Sequence, residues 1–145
     1  MPDPLTPERK AQIDAVLSQA VTAKLATANP KTAQPHVVPV WFWWDGECIW
    51  ISAFSSTRKV KELQLNRRCA ILVEAQPGTS PLQGVLLEGA AELLVEDRNQ
   101  VARLSEVIYK RYMSPEELAA PEPQSWLVDP ENTIVCLKPE KLMVI

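Results

Sequence analysis

The sequence predicts a mainly β chain with a few helices, an antiparallel barrel or sandwich rather than a doubly wound parallel sheet. Three observations carry that expectation. About six runs are β-rich by residue type and of strand length. Asp45-Gly46, between two of them, is a dipeptide that closes tight antiparallel hairpins. The helical patterns are few and interrupt the strands instead of alternating with them. At 145 residues and 46% apolar composition, the chain is expected to form a single domain over residues 1–145 with a substantial core.

In order, Thr6 followed by Pro7 and Glu8 marks a helix start. Ile13, Val16, Leu17 and Ala20 then recur at helical spacing. Val21 to Thr27 reads as a first strand, and Asn29-Pro30-Lys31-Thr32 as a turn. Pro35 to Trp44 is β-rich and apolar on both faces, and Pro39 inside it points to an edge position or a bulge. The hairpin leads into Cys48–Ala53, followed by a helix over Arg58–Asn66 and a strand over Cys69–Ala75. Leu82 to Val95 is long for one strand, with Gly84 and Gly89 as expected bends or bulges. Asp97 caps an amphipathic helix bearing Val101, Leu104, Val107 and Ile108, and Ser114-Pro115-Glu116-Glu117 is a capping box. Pro121 to Pro130 reads as a connector holding Trp126, and Thr133–Leu137 as a strand continuing past Pro139 into Leu142–Ile145. Trp41, Trp43, Trp44 and Trp50 fall on paired strands, so the outward rings need a cover: solvent, a partner subunit or a planar ligand.

The most informative stretch runs from Ser52 to Leu63. Three hydroxyls, Ser55, Ser56 and Thr57, precede the helix, and any of them could cap it. Arg58 and Lys59 then occupy the first turn, where the helix dipole already places positive charge, at a cost of roughly 0.3–1 kcal/mol each. An anion reverses that sign, because open N–H groups, hydroxyls and two cations form a phosphate cradle. The alternative is that the cations pair with Glu62 at helical spacing and face water.

Composition excludes several classes. A net charge of -3 and only small basic clusters, Arg58-Lys59-Lys61 and Arg67-Arg68, argue against a nucleic-acid partner. No apolar run approaches membrane-spanning length, and Met1-Pro2-Asp3-Pro4 lacks the pattern of a secretory leader. Cys48, Cys69 and Cys136 read as reduced core thiols of a cytoplasmic protein. A single histidine, His36, excludes a histidine metal cluster, and four glycines leave no dinucleotide fingerprint or Walker loop. Glu88 and Glu92 share a strand face and read as a solvated pair. No side chain presents itself as acid, base or nucleophile, so any chemistry belongs to a bound cofactor.

Five segments come in a telling order: Gln34-Pro35-His36-Val37-Val38-Pro39-Val40-Trp41-Phe42, Trp44-Asp45-Gly46, Ser56-Thr57-Arg58-Lys59, Ala70-Ile71-Leu72-Val73-Glu74 and Leu87-Glu88-Gly89-Ala90-Ala91-Glu92-Leu93. The series resembles the pyridoxamine 5'-phosphate oxidase-like flavin-binding split-barrel family. The resemblance runs from Ala23 to Leu94. It implies a split antiparallel β-barrel homodimer acting on a small-molecule substrate as a flavin-dependent oxidoreductase. FMN, or in a sister branch a deazaflavin, would lie in the groove between subunits. The resemblance also implies a cofactor phosphate on the turn of Ser56, Thr57, Arg58 and Lys59, with Lys59 the best match to the family's basic ligand. Val38, Pro39 and Val40 match the segment whose backbone follows the isoalloxazine ring. Trp50, Ile51 and Ser52 match the strand that faces the ribityl chain. Trp126 and the Gln83–Leu86 strand are candidates for a wall contributed across the dimer. Two departures stand out: Glu62 replaces a frequent Asn and can draw Arg58 from a phosphate, and Arg67 replaces a common Pro. The extra basic contacts that a pyridoxamine-phosphate substrate requires have no match here. A flavin- or heterocycle-binding protein without turnover is the competing non-catalytic class.

Overall fold

The computed structural model describes residues 5–145, so the leader reading at Met1–Pro4 lies outside the described residues. Helix α1 (Pro7–Leu17) is capped by Thr6, whose Oγ1 accepts from Arg9 N, and it buries Ile13, Val16 and Leu17. Nine strands follow in two antiparallel sheets. The first has the order β2 (Pro35–Val40), β1 (Ala23–Ala28), β5 (Arg68–Glu74), β6 (Gly84–Ala90), β9 (Lys141–Val144). The second has the order β3 (Phe42–Trp44), β4 (Ile49–Phe54), β8 (Asn132–Leu137), β7 (Glu92–Leu94). This is a split barrel, and its core lies between the sheets.

The two sheets exist because single apolar runs turn corners. Pro35–Trp44 breaks at Trp41, Leu82–Val95 breaks at Ala91, and Lys138-Pro139-Glu140 separates β8 from β9. Each break passes the chain from one sheet to the other. Gly84 and Gly89 are therefore not the bends expected of them; both sit in regular register, opposite Glu74 and Cys69. Their lack of a side chain answers close approach instead. A Cβ on Gly84 would stand 2.7 Å from Val73 O, and one on Gly89 would stand 3.0 Å from Leu137 Cδ1. Pro39 does sit on an edge strand, pairing through Lys24 of β1, where its missing N–H costs the sheet nothing.

Strand period decides what reaches the core. In β4, Ile49, Ile51 and Ala53 point inward and are buried, leaving Trp50, Ser52 and Phe54 on the outer face. Phe42 and Trp44 likewise face in, and Trp44 Nε1 donates to Asp14 of α1 at 2.8 Å. Over the outer face of the second sheet lies a helical layer: α3 (Arg98–Tyr109), α4 (Pro115–Ala119) and α5 (Pro121–Val128). The Pro121–Pro130 stretch is thus mostly helix rather than connector, because Pro121 stands at the first helical position, where its missing N–H is tolerated. This layer forms a second apolar cluster that takes in Trp41, Trp43 and Trp50, so the cover for the outward tryptophans comes from the chain itself. Ser114 and Glu117 form the expected capping box.

A half-buried lysine in a cleft at the start of α2

Helix α2 (Arg58–Leu65) starts one residue beyond the hydroxyl cluster, after Thr57 in extended conformation. The expected side-chain cap is absent. Thr57 Oγ1 donates backward to Phe54 O at 2.6 Å, and among the described residues no side chain caps the first-turn N–H groups. That leaves the positive end of the dipole without an internal partner.

The two cations of this turn go different ways. Arg58 Nε donates to Glu62 Oε2 at 3.1 Å, and Thr27 Oγ1 donates to Glu62 Oε1 at 2.7 Å. Glu62 is buried, and the Thr27 hydroxyl, with Arg58 behind it, holds its carboxyl below the usual range. Ser56, Arg58, Lys61, Glu62 and Leu65 line a surface hollow of about 690 Å³ with the Asn29–Gln34 turn. In that turn Ala33 adopts φ 56°, a left-handed conformation usually left to glycine.

Lys59 lines a separate cleft of about 310 Å³ with Thr22, Pro39, Val40, Trp41, Ser52 and Tyr109. Lys59 is half-buried, and among the described residues it makes no ion pair. Burial pushes its ammonium below the ordinary lysine value. A desolvated cation without a counter-charge is unfavourable for the fold alone, and an anion beside it removes that penalty.

One wall of the cleft is fixed by aromatic packing. Trp41 stacks on Tyr112 at 4.8 Å between centroids and meets Tyr109 edge-on at 6.0 Å. Tyr112 OH donates to Val21 O at 2.8 Å and receives Phe42 N–H at 3.2 Å, tying the end of α3 to the Trp41 corner. Behind Ser52 lies a buried polar group. Ser52 Oγ donates to Asn132 Oδ1 at 3.1 Å and lies 3.2 Å from Ser105 Oγ and 3.3 Å from Tyr109 OH. Arg98 steadies Asn132 by donating to its carbonyl and to that of Asp129.

Of the residues singled out from the sequence, Pro39, Val40, Ser52 and Lys59 line the cleft together. Val38 packs against the barrel core, and Ile51 is fully buried in it. Trp50 stacks on Trp43 and donates from Nε1 to Asp45 at 3.0 Å, away from the cleft lining. Thr57 turns back on Phe54, while Ser56 and Arg58 line the other hollow. Trp126 packs edge-on against Tyr109 within its own chain. Gln83 lines a further cavity of about 490 Å³ beside Ile145. Thr22, Trp41 and Tyr109 were not singled out as site residues. A signal for Tyr109 existed: Ser105 and Tyr109 place two hydroxyls four residues apart on the apolar face of α3.

The fold and this cleft define a split-barrel protein in which Lys59, without an ion pair among the described residues, lies beside an uncapped helix start. The profile of the family described as pyridoxamine 5'-phosphate oxidase matches residues 10–144, and the chain belongs to that family. Among solved structures, the chain is similar to the conserved hypothetical protein Rv2991 of Mycobacterium tuberculosis, at 24% identity, TM-score 0.73, covering 92% of this chain and 82% of that one. It is also similar to an F420 reductase, at 21% identity, TM-score 0.71, covering 90% and 94%. A third is HutZ, the heme storage protein of Vibrio cholerae, at 18% identity, TM-score 0.70, covering 97% and 94%. At these identities the likeness speaks for the fold. No curated protein matches the chain by sequence. Among the described residues, no helix is long and apolar enough to cross a membrane, and no group of three or more side chains could hold a metal ion.

Proposed function

We propose that this chain is an FMN-dependent oxidoreductase of its family, working as a homodimer on a small-molecule substrate. The observation that carries the reading is Lys59, half-buried and, among the described residues, without a counter-charge, in a cleft beside a helix start that none of those residues' side chains caps. That donor set fits a phosphate. Lys59 and the first-turn N–H groups of α2 would hold it, with Ser56 and Thr57 on the preceding turn. Arg58, its Nε committed to Glu62, could join through its Nη groups. The Val38–Val40 strand would run beside the ring; Pro39, lacking an N–H, can offer a ligand its carbonyl alone. Trp50, Ile51 and Ser52 would flank the sugar-alcohol chain; Ile51, its side chain in the core, can contribute backbone only. FMN, when bound, supplies hydride or electron transfer at its ring. The protein's part is to bind, orient and exclude water.

A second copy is supported by the β2 edge. Val37, 64% exposed, lies on the same outward face as Pro39, and an apolar edge strand of this kind favours pairing. Titrating the purified protein with FMN, followed by absorbance and by sedimentation, tests the reading. Protein that stays colourless and leaves added FMN free in solution would overturn it.

A deazaflavin in place of FMN is the second reading, favoured by the hollow that Arg58 and Lys61 line next to the cleft, room for a longer acidic tail. Competition between the two cofactors in one titration separates them. Bound flavin that no reductant reduces would point to the non-catalytic class.

A further inference from the structure

The polar group behind the cleft has only one consistent arrangement of protons. Asn132 is fully buried, and its Nδ2 lies 2.9 Å from Ser105 Oγ and 3.4 Å from Leu127 O. A carbonyl can only accept, so the Leu127 contact fixes the amide nitrogen on that side and Oδ1 toward Ser52. Ser52 Oγ, 3.1 Å from Oδ1, must then donate to it, which commits its single proton. Ser105 accepts from Asn132 Nδ2 and has its own proton left for Ser52 at 3.2 Å. The three side chains close a ring in which each donates to the next: Asn132 to Ser105, Ser105 to Ser52, Ser52 to Asn132. Reversing one member would strand a buried amide oxygen or nitrogen, so the ring holds its direction.

Tyr109 stands outside this ring, and its OH is 3.3 Å from Ser52 Oγ. With the Ser52 proton spent on Asn132, the tyrosine has to be the donor of that pair. Its own oxygen then keeps its lone pairs, and no other described group donates to it. Tyr109 and Ser52 both line the Lys59 cleft. The cleft wall therefore meets a ligand with an acceptor, and Ser52, whose hydroxyl would ordinarily serve as a donor, is unable to give a proton to anything bound there.

We infer that Tyr109 is a specificity-determining residue of the Lys59 cleft: held by Ser52, Ser105 and Asn132, its phenol oxygen accepts a hydrogen bond from a hydroxyl of the ligand's sugar-alcohol chain. The cleft thereby selects molecules that join an anionic group to a hydroxylated chain, and discriminates against those whose chain can accept but not donate. The inference rests on the flavin reading, which sets that chain beside Ser52.

The test uses the full chain and two probes: FMN, and an FMN analogue whose ribityl hydroxyls are replaced by fluorine, which cannot donate. Dissociation constants are measured by flavin fluorescence for the wild type, Tyr109→Phe and Lys59→Ala. Tyr109→Phe keeps the ring that packs against Trp41 and Trp126. The wild type should bind FMN more tightly than the fluorinated analogue, and Tyr109→Phe should shrink that ratio roughly two- to tenfold, the worth of one neutral hydrogen bond. Lys59→Ala should weaken both probes and leave the ratio unchanged. A wild type that binds both probes equally overturns the inference without needing any variant, and so does a Tyr109→Phe protein that keeps the wild-type ratio. In both cases the flavin reading stands. A wild type that binds neither probe removes the flavin reading and this inference with it.

Discussion

Arg58 and Lys59 are neighbours in the sequence, equal in charge and both in the first turn of α2, yet they face different chemistry. Arg58 is 53% exposed on its side chain and already paired to a buried carboxylate, which is in turn held by Thr27. Lys59 is half-buried against Pro39, Trp41 and Tyr109 and makes no ion pair among the described residues. Among the described residues, one cation is paired by the fold and the other is not. Charge and spacing alone rank the two equally; burial and the partner's position separate them.

The largest expected difference lies in binding. Lys59→Ala should weaken FMN by about 1.5–3 kcal/mol, the scale of a charge-assisted hydrogen bond, measured by titration at low and moderate salt. Arg58→Ala should change FMN affinity by much less. Equal losses would mean that the two cations stand alike toward the ligand.

Acid and base should separate the two sites next. Burial lowers the Lys59 ammonium below the ordinary 10.5, so between that lowered value and 10.5 the folded chain holds fewer protons than the unfolded one. Stability therefore rises with pH across that window, while FMN affinity falls as the ammonium is lost. Glu62 gives the same sign of slope in the acid range, but as a favourable pairing that is lost rather than a burial penalty that is relieved. Its folded value lies below the ordinary 4.5, so its contribution is complete above 4.5 and disappears as pH falls through the lowered value. Melting curves of Lys59→Ala and Glu62→Gln should lose the alkaline and the acid dependence respectively.

Smaller effects sharpen the comparison. Lys59→Ala should leave the melting temperature unchanged or raise stability by about 0.3–1 kcal/mol, because a cation leaves the positive helix end. Arg58→Ala should cost about 0.3–0.5 kcal/mol, discounted for the exposure of its side chain. Ala33→Gly, in the turn that walls the Arg58 hollow, should stabilise by about 0.5–1 kcal/mol, since relief of the left-handed strain outweighs glycine's extra entropy. Calorimetry of the three variants orders them; a destabilised Ala33→Gly would mean that the φ of 56° carries no strain.

Much of the fold was legible because it is local. The caps at Thr6, Asp97 and Ser114, the Asp45-Gly46 hairpin and the edge position of Pro39 all follow from residue type and spacing. The corners at Trp41 and Ala91 were not, since an apolar run reads the same whether it stays in one sheet or crosses to another. The helix over Pro121–Val128 was hidden by Pro121 and Pro123, because first-turn positions that tolerate proline look like a connector.

By itself the sequence determined that a cationic turn follows an apolar strand at the head of a helix, and that no histidine cluster or glycine-rich loop competes with it. Only the tertiary structure decided which cation is paired among the described residues, because Thr27 of β1 reaches Glu62 across 35 residues and the α3 tyrosine reaches Ser52 across 57. Which of two equal charges keeps its partner depends on distances that chain order does not encode.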